Sequence, residues 1–434
     1  MRKIAAIKEY LTLRSPNYSR GDLGVYSTVD ILDTSLLRFN GDFDNQVQDI
    51  LYFVRLTAGR VHSLKLLFDD LEEALQHLVP GCHIVPFGSI VTGLGIKTSD
   101  VDCYVYLPDG TPPTIRHVSS ARVVLKRYPK KFIKVFAITS AKVPIVKFLH
   151  RPTNCECDVN FKSPIGVHNS RLIAFLLHWD SQALPLAVLI KYWSKVHKIT
   201  GTNLMPNYAL IMMVIFYLQQ KNVLPSVYEL QNNVPPFYID DWNTAFDNTM
   251  CRTSRTSDSL YDLMGGFFKY FSTFNYQQCL ISPFIGSVVM KKCFEDTGNV
   301  PEEFGLYKEL VSKNTQPKLK VDTKFCIQDP FEHSKNCSAV VLGKFADKII
   351  ALLKFASKKF EEEPANSFLK AIFTQDPFSV PPITNNKNEP KIYVIQNRIT
   401  KHNPKKTKRG WKTGLQNNFK VWANDTNTSF RGRR

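Results

Sequence analysis

Hydrophobic and polar positions change period several times along the chain, and each change predicts an element boundary. From about Asp44 to Leu78 the spacing is helical, with Leu64, Leu67, Phe68, Leu71, Leu75 and Leu78 on one stripe. Pro80-Gly81 ends that stretch. Cys82–Phe87 is then strand-like, and Gly88-Ser89 opens a small-residue run to Gly95. Asp100-Val-Asp-Cys-Tyr-Val-Tyr106 alternates with period two, putting Asp100, Asp102 and Tyr104 on one face and Val101, Cys103 and Val105 on the other. Cys155 to Phe161 alternates in the same way, with Glu156, Asp158 and Asn160 opposite Cys155, Cys157, Val159 and Phe161. Residues 143–149 predict a strand between them, and residues 108–140, Pro-rich and then basic, read as an insertion or loop. After Ser170 the texture is helical again: Leu172–Trp179, Leu184–Val196 and Tyr208–Gln220 predict buried helices. The segments 258–280 and 339–361 continue it, with Phe345, Ile349, Leu352 and Ala356 on one stripe.

The pattern predicts an α+β chain in which a small α/β unit interrupts a helical one. Expected boundaries are a partly ordered lead-in (1–43), a helical segment packing with the central domain (44–79), an α/β domain (80–168), a helical central domain (169–380) and a basic tail (381–434). At 434 residues the chain is long enough for two or three domains with real cores. The longest apolar run, Tyr208–Leu218, falls short of the ~20 residues of a membrane span, and the basic N-terminus lacks a secretory apolar core. Nine scattered cysteines without paired CxxC units argue against a disulfide framework or a zinc finger, and for a reducing compartment.

Charge adds a partner class. The chain holds 56 Lys+Arg against 38 Asp+Glu, a formal +18. From Lys387 to Arg434 there are thirteen basic residues against two acids, so the tail holds +11 of that excess. A second basic run starts at Lys126, Arg127, Lys130, Lys131 and Lys134 and continues to Lys142, Lys147 and Arg151. Two such clusters suit a polyphosphate partner, which they attract by counterion release. Lys405, Lys406, Lys408 and Arg409 also fit a nuclear import signal, and Trp411, Phe419 and Trp422 permit stacking on single-stranded bases.

The strongest chemical constellation joins Gly88-Ser89, Asp100-x-Asp102 and Asp158. A Gly followed by a hydroxyl residue at a helix start offers N–H groups and an OH to phosphate. Aspartates at i and i+2 of a strand point the same way, and a third from a neighbouring strand completes a hard-oxygen set for two Mg²⁺ or Mn²⁺ ions. Such a pair of ions serves in-line displacement at phosphorus.

These residues resemble the nucleotidyltransferase family of template-independent poly(A) and terminal uridylyl polymerases. The likeness rests on Pro80-Gly-Cys-His-Ile-Val-Pro-Phe-Gly-Ser89, Asp100-Val-Asp102 and Cys157-Asp158. In the helical half, His168-Asn-Ser-Arg-Leu172, Leu189-Ile-Lys-Tyr-Trp193, Asn207-Tyr-Ala-Leu210, Phe267-Phe-Lys-Tyr-Phe271 and Asp329-Pro-Phe-Glu-His-Ser-Lys-Asn336 follow in the family's order. The resemblance covers roughly residues 44–360. It implies a palm with a mixed sheet set in an all-helical poly(A)-polymerase-associated domain, and a cleft between the two. It also implies that Asp100, Asp102 and Asp158 hold both metals and that Gly88 and Ser89 grip the triphosphate. Asn169 would contact the ribose, with Ser170 beside it; Lys191 and Lys195 would face the phosphates; Asn207 and Tyr208 would meet the nucleotide, though Tyr208 also suits a core position. Asp329 and Lys335 would read the base. Uridylyl-transferring relatives place a His where this chain has Lys335, and a lysine, all donors, favours the O4 of uracil over the adenine amine.

The expected activity is therefore UMP addition from UTP to RNA 3′ ends by a monomeric nuclear enzyme, with release of pyrophosphate. ATP-dependent polyadenylation is the alternative, and the cytoplasm and mitochondrion are alternative locations. A silent RNA-binding scaffold would have lost a metal ligand, whereas all three are present. A 2′-5′ oligonucleotide or cyclic-dinucleotide synthase would share Gly-Ser and Asp-x-Asp but not the helical motifs.

Overall fold

A computed structural model describes residues 30–108, 111–251 and 257–378. Two cores organise them. The smaller lies on a five-stranded mixed sheet: β1 (His83–Phe87), β2 (Val101–Tyr106), β3 (Phe132–Ile138), β4 (Ile145–His150) and β5 (Cys155–Asn160), in the order β1-β2-β5-β4-β3. Only β2 and β5 run parallel, with Asp102 beside Asp158 and Tyr104 beside Asn160. The inward faces, Val101, Cys103 and Val105 with Cys155, Cys157 and Val159, pack under Leu64, Leu67, Leu71 and Leu75. The period-two alternation thus leaves the carboxylates on the opposite face of the sheet from this core.

The 44–79 segment is two helices, and they serve different cores. Phe43–Val54, capped by Asp42, buries Phe43, Val47, Ile50 and Val54 in the helical core. Ala58–Gln76, capped by Thr57, lies on the sheet. The stretch 108–140, expected as an insertion or loop, instead holds the helix Ile115–Leu125 and the edge strand β3. A reciprocal Thr114–His117 capping box starts that helix, and Val118, Ala121 and Leu125 bury its one apolar stripe. The end of the lead-in is also packed: Ile31 and Leu37 are buried, and the Tyr192 hydroxyl donates to the Ile31 carbonyl at 2.7 Å.

The larger core gathers the helices Ile165–Trp179, Ala183–Val196, Asn207–Gln220, Leu260–Thr273, Gly343–Glu362 and Ala365–Thr374. Asn207–Gln220 is apolar on all sides because it runs through the middle of this core. Two small hairpins complete it: β6 (Tyr238–Ile239) with β7 (Trp242–Asn243), and β8 (Cys279–Ser282) with β9 (Ser287–Met290). Asp240 and Asp241 turn the first with φ of 50° and 72°, a left-handed pair suited to a two-residue hairpin. All nine cysteines are free thiols. Among the described residues no single helix is long and apolar enough to cross a membrane.

Candidate active site

The edge-to-edge register of β2 and β5 brings three carboxylates into one neighbourhood, two of which, Asp100 and Asp158, line a cleft. Asp102 and Asp158 are neighbours across the parallel pair, and Asp100 stands exposed just before β2. Burial, reinforced by the charges of Asp100 and Asp158, pushes the Asp102 carboxyl up to about 7. Asp158 is also raised, by burial first, with Lys147 opposing. Lys147 sits on β4 directly opposite Asp158, and its ammonium lies 2.7 and 2.8 Å from the two carboxylate oxygens. Lys147 belongs to the basic stripe of the sequence, but it is also the one charged residue of Ile145-Val-Lys-Phe-Leu-His150 beside an acidic strand, which is the sequence signal for this pairing.

With Asp158 drawn onto Lys147, no group of three His, Cys, Asp or Glu among the described residues closes on a common point as the side chains stand. The donor set nonetheless fits divalent cations. It is three hard carboxylates whose mutual repulsion is registered at Asp102 and which already draw one cation from β4.

The cleft has a volume of ≈ 540 Å³. Asp100, Lys147 and Asp158 line its palm side, and Lys195 and Asn207 its helical side. Lys97 and Lys195 bring further positive charge to it. Asn169 and Asn207 each keep a buried amide oxygen without a hydrogen-bond partner, the kind of acceptor a polar ligand satisfies.

Four expected contacts take different roles. The Gly88 N–H donates to Ser170 Oγ at 2.7 Å, and that hydroxyl donates to the Gly166 carbonyl at 2.7 Å. Gly88 therefore has no free N–H for phosphate, and Ser170 is a clasp between β1 and the Ile165–Trp179 helix. Gly88 is needed for space: its φ is +75°, and a Cβ would collide with Asp102 Oδ2. Lys191 is only 3% exposed, and its ammonium donates to the Leu94 carbonyl at 2.8 Å and approaches Ser99 Oγ at 3.4 Å. It pins the segment before Asp100, and burial lowers its pKa to about 8. Asp329 is fully buried; Oδ1 accepts the N–H groups of Phe331 and Glu332, and Oδ2 pairs with Lys335 at 3.0 Å.

Ser89 is half-buried at the head of a four-residue helix. Lys335 forms a second cluster with Tyr208. Its ammonium is 2.6 Å from Glu332 and 5.6 Å from the centre of the Tyr208 ring. Burial works to lower the Lys335 pKa, but the Asp329 and Glu332 carboxylates hold it well above its ordinary value. Burial and Asp329 push the Tyr208 phenol far up, so it stays neutral. Glu332 also reaches Lys142 of the palm at 3.9 Å.

The basic run divides: Lys147 pairs with Asp158 in the cleft, while its earlier members lie elsewhere. Lys131 pairs with Asp70 and Glu73, each at 2.8 Å. Lys126, Arg127 and Lys130 are exposed at the edge-strand side. Lys405, Lys406, Lys408 and Arg409 lie outside the described residues.

Residues 43–177 match the family model of the "Poly(A) RNA polymerase, mitochondrial-like, central palm domain", and residues 259–335 that of the "Cid1 family poly A polymerase". The Speckle targeted PIP5K1A-regulated poly(A) polymerase of Danio rerio is 26% identical over 285 residues, 55% of this chain and 36% of that protein. The Poly(A) RNA polymerase GLD2 of Homo sapiens is 28% identical over 257 residues, 55% of this chain and 53% of that protein. The chain thus spans between about a third and about half the length of these relatives. Among solved structures, mtPAP in complex with UTP aligns over 83% of this chain and 79% of that one, with a TM-score of 0.68 and 19% identity. The Cid1 poly(U) polymerase covers 76% and 97%, with a TM-score of 0.62 and 19% identity. Residues 43–177 and 259–335 thus match poly(A)-polymerase palm and associated-segment models, and the chain is similar to poly(A) and poly(U) polymerases on a mixed α+β nucleotidyltransferase fold.

Proposed function

We propose that the chain adds nucleoside monophosphates from ribonucleoside triphosphates to RNA 3′ ends without a template, with UTP as the preferred donor. The observation that carries this reading is the register of Asp102 against Asp158 beside Asp100, across a cleft from Lys195 and Asn207. In the reaction the RNA 3′ oxygen bonds to the α-phosphorus, the bond from that phosphorus to the β-phosphate bridging oxygen breaks, and pyrophosphate leaves. Asp100, Asp102 and Asp158 would hold Mg²⁺ or Mn²⁺, which when bound supplies charge for the triphosphate and lowers the pKa of the attacking hydroxyl. Lys195 meets the phosphates. Asn169 offers its unpartnered oxygen to a ribose hydroxyl, which favours NTP over dNTP.

Base choice falls to the Tyr208–Lys335 cluster. Two of the three Lys335 donors are engaged by Asp329 and Glu332, and the third suits uracil O4. A second reading, ATP, has its own support: Glu332 can accept from the adenine amine while Lys335 donates to N1, and the curated relatives carry the name poly(A) polymerase. The basic tail and the likeness to a speckle-targeted protein support a nuclear, RNA-bound enzyme. Extension of one labelled RNA primer by the full chain with each NTP in turn tests the reading. UMP addition exceeding AMP addition is expected. Equal or greater AMP addition transfers the assignment to ATP, and no extension with any NTP overturns it.

A further inference from the structure

The loop that carries Lys335 has a second side. Asp329, Glu332 and Lys335 form one ion cluster, whereas Phe331 and His333 line a separate pocket of ≈ 290 Å³. Its other walls include Tyr228, Tyr238, Phe284 and Glu303. His333 is 4% exposed and packs against Phe284, with ring centres 4.0 Å apart, and Trp242, at 5.3 Å.

The tautomer of His333 follows from its neighbours. Nε2 lies 3.3 Å from the Pro330 carbonyl, which can only accept, so the proton is on Nε2. Nδ1 is then a bare acceptor, buried and without a partner. Burial lowers the His333 pKa to about 4, so the ring is neutral near pH 7 and Nδ1 keeps its lone pair. An unpaired buried acceptor costs about 1–3 kcal/mol, which a ligand N–H recovers.

We propose that this pocket is a second nucleobase site, taking a planar base with an exocyclic amine, adenine or cytosine. The Tyr228 and Tyr238 rings on its wall supply stacking faces, Glu303 supplies a carboxylate acceptor, and the unpartnered His333 Nδ1 buried behind the wall is the second acceptor that we propose the amine reaches. The volume suits one nucleoside, just under the ~300 Å³ at which ligand pockets usually begin. Because Phe331 and His333 sit in the loop that holds Lys335, occupancy stiffens the base-reading cluster from behind. The base comes either from the RNA substrate or from a free nucleoside. The site stands whichever NTP the cleft prefers.

Photolabelling of the full chain with 8-azidoadenosine under excess UTP, followed by peptide mass mapping, tests this. UTP occupies the cleft, and uracil lacks the exocyclic amine. Adducts are expected within residues 228–243 or 331–333, and should fall about tenfold in Tyr238→Ala, the worth of one stacked ring. Tyr238 is exposed on the rim, so that variant keeps the core intact; His333→Phe, which removes the acceptor, should lose the label equally. Displacement by a ten-nucleotide A-only RNA at lower concentration than adenosine identifies RNA as the source; displacement only by adenosine identifies the nucleoside. Label confined to cleft peptides, or unchanged in Tyr238→Ala, overturns the second site while leaving the primer-extension result untouched.

Discussion

Asp102 shows how function strains a single residue. Its folded carboxyl titrates near 7, whereas the unfolded one titrates near 3.8. Between those values the folded chain binds more protons, so this group's contribution to stability falls as pH rises from about 4 to 7. Asp102→Asn, assayed without divalent ions, should therefore melt higher than the parent by an amount that grows across that window, on the order of 4 kcal/mol at pH 7. Denaturant melts at pH 4 and pH 7 check it; a variant less stable at both values contradicts the assigned strain. Gly88→Ala should act in the opposite direction. Its Cβ meets Asp102 Oδ2 and its φ is +75°, so loss of about 1–3 kcal/mol and of nucleotide addition is expected, read by melts and primer extension. The alternation of residues 100–106 and 155–161 was enough to put these carboxylates on polar faces. The register that makes Asp102 and Asp158 adjacent, and sets Lys147 opposite Asp158, was not legible, because strand pairing is decided by long-range packing and not by local period. The same limit explains Lys191, whose spacing to Lys195 suggested a shared outward face while the depth of the helix buries it.

At the level of elements, the Asp329–Asn336 loop is where we propose that base choice resides. Asp329 accepts its own turn's N–H groups at Phe331 and Glu332, an Asx-type closure, and thereby fixes Lys335 beneath Tyr208. Asp-Pro at its start was a local clue to that turn, but only the fold shows Asp329 fully buried and out of reach of a base. Lys335→His should raise the ratio of UMP to AMP addition several-fold, since a neutral imidazole keeps one donor and releases Glu332 from its ion pair. The ratio of kcat/KM for UTP and ATP measures it, and an unchanged ratio removes Lys335 from base selection. The helix Ile115–Leu125 was missed for a different reason. Its apolar stripe is only three or four residues wide and lies among Arg and Ser, so its capping box was the stronger signal.

Across the whole molecule, two cores meet at the site, and the split of residues 43–76 between them ties each side of the cleft to the other. Buried neutral histidines make this arrangement acid-sensitive. His333 folded titrates near 4 and unfolded near 6.5, so below 6.5 the unfolded chain binds more protons. Its contribution, fully present above 6.5, is lost progressively as pH falls toward 4, up to about 3 kcal/mol. His333→Phe should flatten the stability profile between pH 6.5 and 4; an identical slope contradicts the neutral buried state. The central claim, that Asp102 on β2, Asp158 on β5 and Asp100 just before β2 drive nucleotide addition, is tested most directly by single-turnover RNA extension with Asp102→Asn and Asp158→Asn. Both should fall by more than about 100-fold, beyond the loss typical of an outer-shell partner, while still binding the RNA primer. Extension within a few-fold of the parent by either variant would contradict the account.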